Sequence, residues 1–341
     1  MSKLTVLAIM HKDLVPPETV EGLSDEEIAP FKTEYDVVAT LHNIGHDVQS
    51  LGVASDLRVV RQAVEERRPD IVFNLLEEFD GQAVYDQNVV SYLELLRLPY
   101  TGCGPRGLML SRDKALSKQI LSYHRIRVPD FAVFTRGSRV RRPRKLGFPL
   151  IVKSLNEEAS LGISQASVVH DDDALRERVN FIHQRIGTDA IAEQYIDGRE
   201  LYVGMMGNQR LQVFPVWELL FTKVPEDVPR IATAKVKWDY KYQEKWGITS
   251  RAARDLPPGG AERIAHLGKR VYRSLGLSGY ARIDLRMTAE GDLYVLEANP
   301  NPQLAFGEDF AESAHAAGLP YDRLLQRIVS LGLRRARNQP G

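Results

Sequence analysis

Residues 279–303 read Gly-Tyr-Ala-Arg-Ile-Asp-Leu-Arg-Met-Thr-Ala-Glu-Gly-Asp-Leu-Tyr-Val-Leu-Glu-Ala-Asn-Pro-Asn-Pro-Gln. Two runs with strand character, 281–287 and 293–298, flank a turn signal at Glu290-Gly291 and predict a β-hairpin. Alternation along each strand puts Arg282 beside Asp284 on one face, and Glu297 beside Asn299 on one face of the next. With Glu290-Gly291 as a two-residue loop, Asp284 falls opposite Glu297 and Arg282 opposite Asn299. Like charges facing each other across a sheet destabilise it, so the two carboxylates call for a cation between them. The donors Asp284, Glu297 and the Asn299 carbonyl are all oxygen, which suits Mg²⁺ or Mn²⁺ and not zinc. So small a protein ligand set leaves coordination positions for water and phosphate oxygens. Each proline of the closing Asn-Pro-Asn-Pro removes a ladder donor, an odd end for a plain strand.

The 341 residues suffice for two or three packed units. Lysine plus arginine equals aspartate plus glutamate at 45 each, so no global charge recruits nucleic acid or an acidic membrane, and a small-molecule partner is expected. The single cysteine, Cys103, excludes an intrachain disulfide, fits a reducing compartment and reads as a small buried hydrophobe. The first apolar run, 4–10, is followed at once by His11-Lys12-Asp13 with no small-residue cleavage site, and reads as a strand. No apolar stretch approaches the roughly 20 residues that span a bilayer. A cytoplasmic protein is expected.

From the start to about Pro105, strands alternate with helices: 4–9, 47–53 and 71–75 as strands, 57–67 and 84–96 as helices. Ile28, Phe31, Tyr35, Val38 and Leu41 fall at helical spacing before Gly45. This order implies a parallel, doubly wound sheet. Ligands of such sheets bind beyond the carboxyl ends of the strands, which singles out 11–18 and 77–82, with His11 and the acidic group Glu77, Glu78 and Asp80 either touching substrate or solvated.

A helix follows Ser111, with Asp113-Lys114 in its first turn, where a lysine opposes the helix dipole unless an anion is bound. Residues 149–153 read as a buried strand closing on Lys153, and a small-residue loop with Ser160 and Gly162 leads to an expected strand at 165–169; a lysine and loop amides together hold phosphates. The basic run Arg139, Arg141, Arg142, Arg144 and Lys145 reads as a solvated loop. Strands at 191–196 and 201–206 are joined by Asp197-Gly198-Arg199-Glu200; Glu193 and Glu200 either face a nucleotide or form a salt-bridged hairpin. Residues 221–256 show no clear period, but carry Lys235, Lys237, Trp238, Tyr240, Tyr242 and Trp246, which suggests a lid. Helices are expected at 262–275, 310–318 and 321–333, with a polar tail from Arg334.

Lys114, Lys153 with its loop, the 193–200 segment and the Arg282, Asp284, Glu297, Asn299 face together resemble the ATP-grasp superfamily, and within it the D-alanine–D-alanine ligase branch. Three segments carry the likeness: 98–102 followed by Asp113-Lys114; 196–200; and 279–284 with Glu297-Ala298-Asn299. Each is common alone, and their order and spacing make the combination specific.

The resemblance implies an α/β (α+β) chain: an N-terminal Rossmann-like parallel-sheet domain (1–105), then an ATP-grasp fold of two subdomains. These would be a central nucleotide-lid part (106–192) and a C-terminal catalytic and metal-binding part (193–335), before a flexible tail (336–341). It implies that Lys114 and Lys153 contact the ATP phosphates with Ser160 and Gly162 in the loop above, Glu193 lies by the adenine and Glu200 holds the ribose. Asp284, Glu297 and Asn299 would bind the metal, and Arg282 would face the transferred phosphate as the catalytic residue. The implied reaction phosphorylates a carboxylate to an acyl phosphate, which an amine attacks to give an amide, ADP and phosphate. The partners are small carboxylates and amines, and a homodimer is left open. A carboxylate kinase on the same fold, or a non-catalytic ATP-binding regulator, are the alternatives. The departures from the family's pattern lie in substrate-facing segments: 11–18, 74–81 and 300–303.

Overall fold

The computed structural model describes residues 3–157, 163–225, 228–233, 236 and 239–338. β1 (Thr5–His11), β2 (Asp47–Val53) and β3 (Ile71–Asn74) form a parallel sheet in the order β2-β1-β3. Its connections are α1 (Asp25–Ile28), α2 (Lys32–Asn43) and α3 (Arg58–Arg67), and α4 (Asp86–Leu95) follows β3. β1 is buried along its middle and β3 throughout, as helices on both faces of a parallel sheet require. The alternation thus gives the expected architecture; of the expected helical stripe Leu41 is buried and Val38 packs on the core, but the stripe does not run back to Ile28. Ile28 ends α1 and Phe31 closes the 3₁₀ turn Ala29–Phe31, so the period restarts at Lys32. The residues that α2 buries are Glu34, Val37 and Leu41.

α5 (Pro105–Arg112) and α6 (Lys114–Tyr123) lead to a second sheet, antiparallel throughout. Asp113 caps α6, its carboxylate accepting from the Ala115 and Leu116 N–H groups at 2.9 Å each. The strands are β4 (Phe131–Phe134), β5 (Leu150–Ser154), β6 (Val168–Val169) and β7 (Ala190–Gln194), ordered β4-β7-β5-β6, with α7 (Asp172–Phe181) packed on them. The strand expected at 165–169 is reduced to Val168–Val169. Ser164 and Ser167 cap each other's backbone and turn Gln165–Ser167 into a 3₁₀ helix. Leu150, Val152, Leu175, Val179, Ala190 and Ala192 give this sheet a core of its own.

The third sheet runs β10-β9-β8-β11-β12, all antiparallel: β8 (Arg199–Met206), β9 (Gln212–Phe221), β10 (Ile248–Ala252), β11 (Tyr280–Met287) and β12 (Leu293–Pro300). The segment expected to be irregular, 221–256, holds α8 (Tyr240–Trp246) and β10. Asp239 caps α8 through the Tyr242 N–H, Gly247 ends it at φ 60°, and Ile248 pairs with Phe221. Lys235, Lys237 and Trp238 lie outside the described residues.

Beneath the sheet runs α9 (Gly260–Ser274), and α10 (Asp309–Ala316) and α11 (Tyr321–Asn338) complete the chain. α11 continues through 334–338, where a polar tail is expected, because Arg335 donates to the carbonyls of Tyr100 and Gly102 and lies over the Tyr100 ring. A continuous core joins the first and third sheets, from Leu7 and Val72 through Tyr100 and Cys103 to Ile283. Cys103 is free and buried, and burial pushes its thiol up to about 11. No helix among the described residues is long and apolar enough to cross a membrane.

Candidate active site

β11 and β12 pair with Asp284 opposite Glu297 and Arg282 opposite Asn299, as the hairpin reading requires. The route to that register differs from expectation. The Thr288 N–H closes the loop on the Asp292 carbonyl at 3.0 Å, with Gly291 at φ 83°, so the turn has one residue more than expected. On the other side of the bulge Leu285 pairs with Val295, leaving Leu296 as the additional residue. The longer turn and the bulge offset each other, and the polar face is restored.

On that face Arg282 forks Asp284, Nε to Oδ1 at 2.8 Å and Nη2 to Oδ2 at 2.9 Å, while lying over the Tyr202 ring. The cation expected between the carboxylates is therefore met on the Asp284 side by an arginine of the same strand. Among the described residues no group of three or more His, Cys, Asp or Glu side chains is placed to hold a metal. Two carboxylates and an amide still offer the oxygen donors that Mg²⁺ takes, and the Asn299 side-chain nitrogen is buried without a hydrogen-bond partner. An amide left unsatisfied by the protein fits a site completed by a ligand.

The second cluster surrounds Glu193 on β7. Its Oε2 lies 3.1 Å from Lys153 Nζ and its Oε1 3.0 Å from Lys118 Nζ; Glu193 and Lys118 are each 1% exposed. Lys118 also donates to the carbonyl of Leu296, the bulge residue, at 2.6 Å. Burial works against the Glu193 carboxylate, but the two ammonium groups hold its pKa below the ordinary value. Burial also lowers Lys153, and Glu193, Glu297 and Glu200 more than offset it. For Lys118 burial prevails and its pKa is lowered. Lys114 Nζ donates to the Glu157 carbonyl at 2.6 Å. Ser160 and Gly162 lie outside the described residues.

Glu200 accepts from Arg286 Nη2 at 2.6 Å and from the Tyr202 hydroxyl at 2.9 Å. Arg286 also bonds the carbonyl of Arg230, tying the 221–256 segment to the sheet. Glu193 and Glu200 are both ion-paired, with partners from other strands and helices and not across the hairpin that joins them. Lys118 and Arg286 are charged residues of these clusters missed from sequence. Lys118 had a signal, its i+4 spacing from Lys114 on an amphipathic helix. His11 faces Glu78 at 3.4 Å.

Arg282, Glu297 and Asn299 open onto a cleft of about 880 Å³ whose far wall includes Glu34, Asn74 and Glu77. Asn74 ends β3 and Glu77 lies just beyond, so the cleft lies at the carboxyl end of the parallel sheet, as expected. Val236 and Gln243 of the lid segment close another side. Lys114, Lys153, Glu193 and Glu200 stand outside this wall.

The fold superposes on the crystal structure of D-alanine–D-alanine ligase from Bacillus anthracis complexed with ATP, with a TM-score of 0.76 at 24% identity over 99% of this chain and 100% of that one. A parallel sheet followed by two antiparallel sheets matches the ATP-grasp fold, and the class is that of ATP-grasp carbon–nitrogen ligases. The D-Ala–D-Ala ligase C-terminus model matches residues 120–330, more than half of the chain. Among relatives, D-alanine–D-alanine ligase of Desulforudis audaxviator is 29% identical over 92% of this chain and 97% of its own. Uncharacterized protein y4sG of Sinorhizobium fredii is 30% identical over 88% and 87%. The chain belongs to the D-alanine–D-alanine ligase family.

Proposed function

We propose that the chain is an ATP-dependent carboxylate–amine ligase that forms an amide through an acyl phosphate, with domains at 1–105, 106–192 and 193–335. The observation that carries this is the Arg282, Asp284, Glu297, Asn299 face, set opposite the carboxyl end of the parallel sheet across one cleft. Phosphoryl transfer is largely positioning and charge neutralisation, and acyl transfer needs a stabilised oxyanion. Arg282, fixed by Asp284 and Tyr202, presents its guanidinium to both. Lys153, kept charged beside Glu193, and Lys114 in the first turn of α6 face the phosphates of ATP, with Ser160 and Gly162 in the covering loop. Glu193 lies at the adenine end, where its main work is to hold Lys153 and Lys118. Glu200, anchored by Arg286, serves the ribose hydroxyls. Asp284, Glu297 and Asn299 would hold Mg²⁺ or Mn²⁺, which supplies further charge neutralisation on the phosphates.

In the first step a carboxylate oxygen of one substrate attacks the γ-phosphorus of ATP and ADP leaves. The second substrate's amine then attacks the acyl carbon, phosphate leaves, and the amine loses a proton. The test is a phosphate-release screen with ATP, Mg²⁺ and pools of D- and L-amino acids and other small carboxylates, followed by mass spectrometry. Release accompanied by a product of the summed substrate masses less water is expected. Release without an amide would make the chain a carboxylate kinase; ATP binding without release in any pool would make it a regulator.

A further inference from the structure

Glu34 stands in the first turn of α2 with its side chain in the cleft wall, yet is only 6% exposed. A buried carboxylate ordinarily has a cation beside it. No lysine, arginine or histidine among the described residues pairs with Glu34; what acts on it is its own backbone N–H and the like charge of Glu77. Burial, reinforced by Glu77, pushes its carboxyl up to about 7. Such a group is costly to the empty protein and complementary to a positive ligand.

The rest of the wall has the same sign. Setting aside Glu297 and Arg282, which belong to the phosphoryl site, the carboxylates Glu34, Glu308, Asp309 and Glu312 share the wall, among the described residues, with Arg251 and Arg254. Glu308 too is raised by burial and by Asp309, against the pull of Lys32 and Arg282. A simple zwitterion brings one positive group and one negative group and leaves this excess unmet.

We propose that Glu34, with Glu77, forms a subsite for a cationic nitrogen of the substrate, and that the ligase acts on a small diamino acid or diamine. The inference rests on the ligase reading above and names its substrate class. One nitrogen forms the amide or is the substrate's α-ammonium; the second, protonated and unreacted, occupies the Glu34 end of the cleft.

The test compares phosphate release, with ATP and Mg²⁺, from pools of diamino acids and diamines, of neutral amino acids and of acidic ones, for the wild type and Glu34→Gln. Dibasic compounds should give a kcat/KM at least about tenfold above the neutral pool, and Glu34→Gln should raise their KM at least about tenfold. The Kd for ATP should stay unchanged, and the variant's melting temperature at pH 8 should not fall, as removing an unpaired buried charge requires. Faster release from the neutral or acidic pool, or a dibasic KM unmoved by Glu34→Gln, overturns the subsite and leaves the ligase standing. If no pool releases phosphate, the ligase reading fails, and lysine or 2,3-diaminopropionate added to the protein decides the subsite. A rise in melting temperature that Glu34→Gln abolishes supports it, and no rise overturns it.

Discussion

Lys118, on α6, donates to the carbonyl oxygen of Leu296 at 2.6 Å and so ties that helix to the bulge that returns Glu297 to its place opposite Asp284. The same ammonium lies 3.0 Å from Glu193, which holds Lys153. One buried cation thus links the lysine of the central sheet to the carboxylates of the third. Lys118→Met removes a partner from a buried ion cluster and should cost about 3 kcal/mol or more of stability, read by urea denaturation. It should also weaken ATP, read by nucleotide titration; ATP affinity unchanged in a folded variant would confine Lys118 to a structural role.

Asp284→Asn and Glu297→Gln should each lower turnover by at least about a hundredfold, while the folded state survives in circular dichroism. Phosphate release unaffected by both changes would refute the assignment of this face. Asp284→Asn also frees Arg282 from its fork, so its effect should exceed that of a change to the metal site alone.

The pH dependence of stability follows from Glu34. Its carboxyl holds a proton up to about 7 in the folded protein, against 4.5 when unfolded. Between these values the unfolded chain releases the proton and the folded protein keeps it, so stability falls as pH rises. The loss attributable to this group is about 3 kcal/mol across that window. Denaturation of the wild type and Glu34→Gln at pH 4.5, 6 and 8 should show the two diverging as pH rises, with the variant the more stable at pH 8.

Gly102 offers a test of how the loop before α5 is held. Asn301 Oδ1 accepts from the Cys103 N–H at 2.7 Å, and a Cβ at Gly102, whose φ is 86°, would collide with that oxygen. Gly102→Ala should cost about 1 kcal/mol in backbone strain alone, and displacing Asn301 should slow turnover. A variant as stable and active as the wild type would show that the contact is dispensable. The second asparagine of Asn-Pro-Asn-Pro, at φ 51°, thus has a structural duty beside the first, Asn299, on the polar face.

The polar hairpin face was legible because it depends on the alternation of side chains, a purely local property. Its loop and bulge were not, because a residue gained in the turn and absorbed at Leu296 leaves the register the same. The stripe of α2 was carried too far upstream by reading one helical period through Pro30, where a 3₁₀ turn resets the phase and brings Glu34 inward beside Val37 and Leu41. Lys118, Arg286 and Glu34 escaped notice for a shared reason. Composition places charged side chains in solvent, and only tertiary partners, or a cleft, show otherwise. α8 and β10 were hidden because a short helix and an edge strand carry too few residues to display a period.

The most direct test of acyl-phosphate chemistry follows the carboxylate oxygens. An active carboxylate substrate labelled with ¹⁸O at both carboxyl positions is turned over with ATP, and the inorganic phosphate is analysed by mass spectrometry. One ¹⁸O per phosphate, with the other retained in the amide carbonyl, is expected, because phosphate departs with the oxygen that attacked the γ-phosphorus. Phosphate free of label, formed at the same rate, would mean that water and not the carboxylate attacks ATP, and would contradict the proposed mechanism.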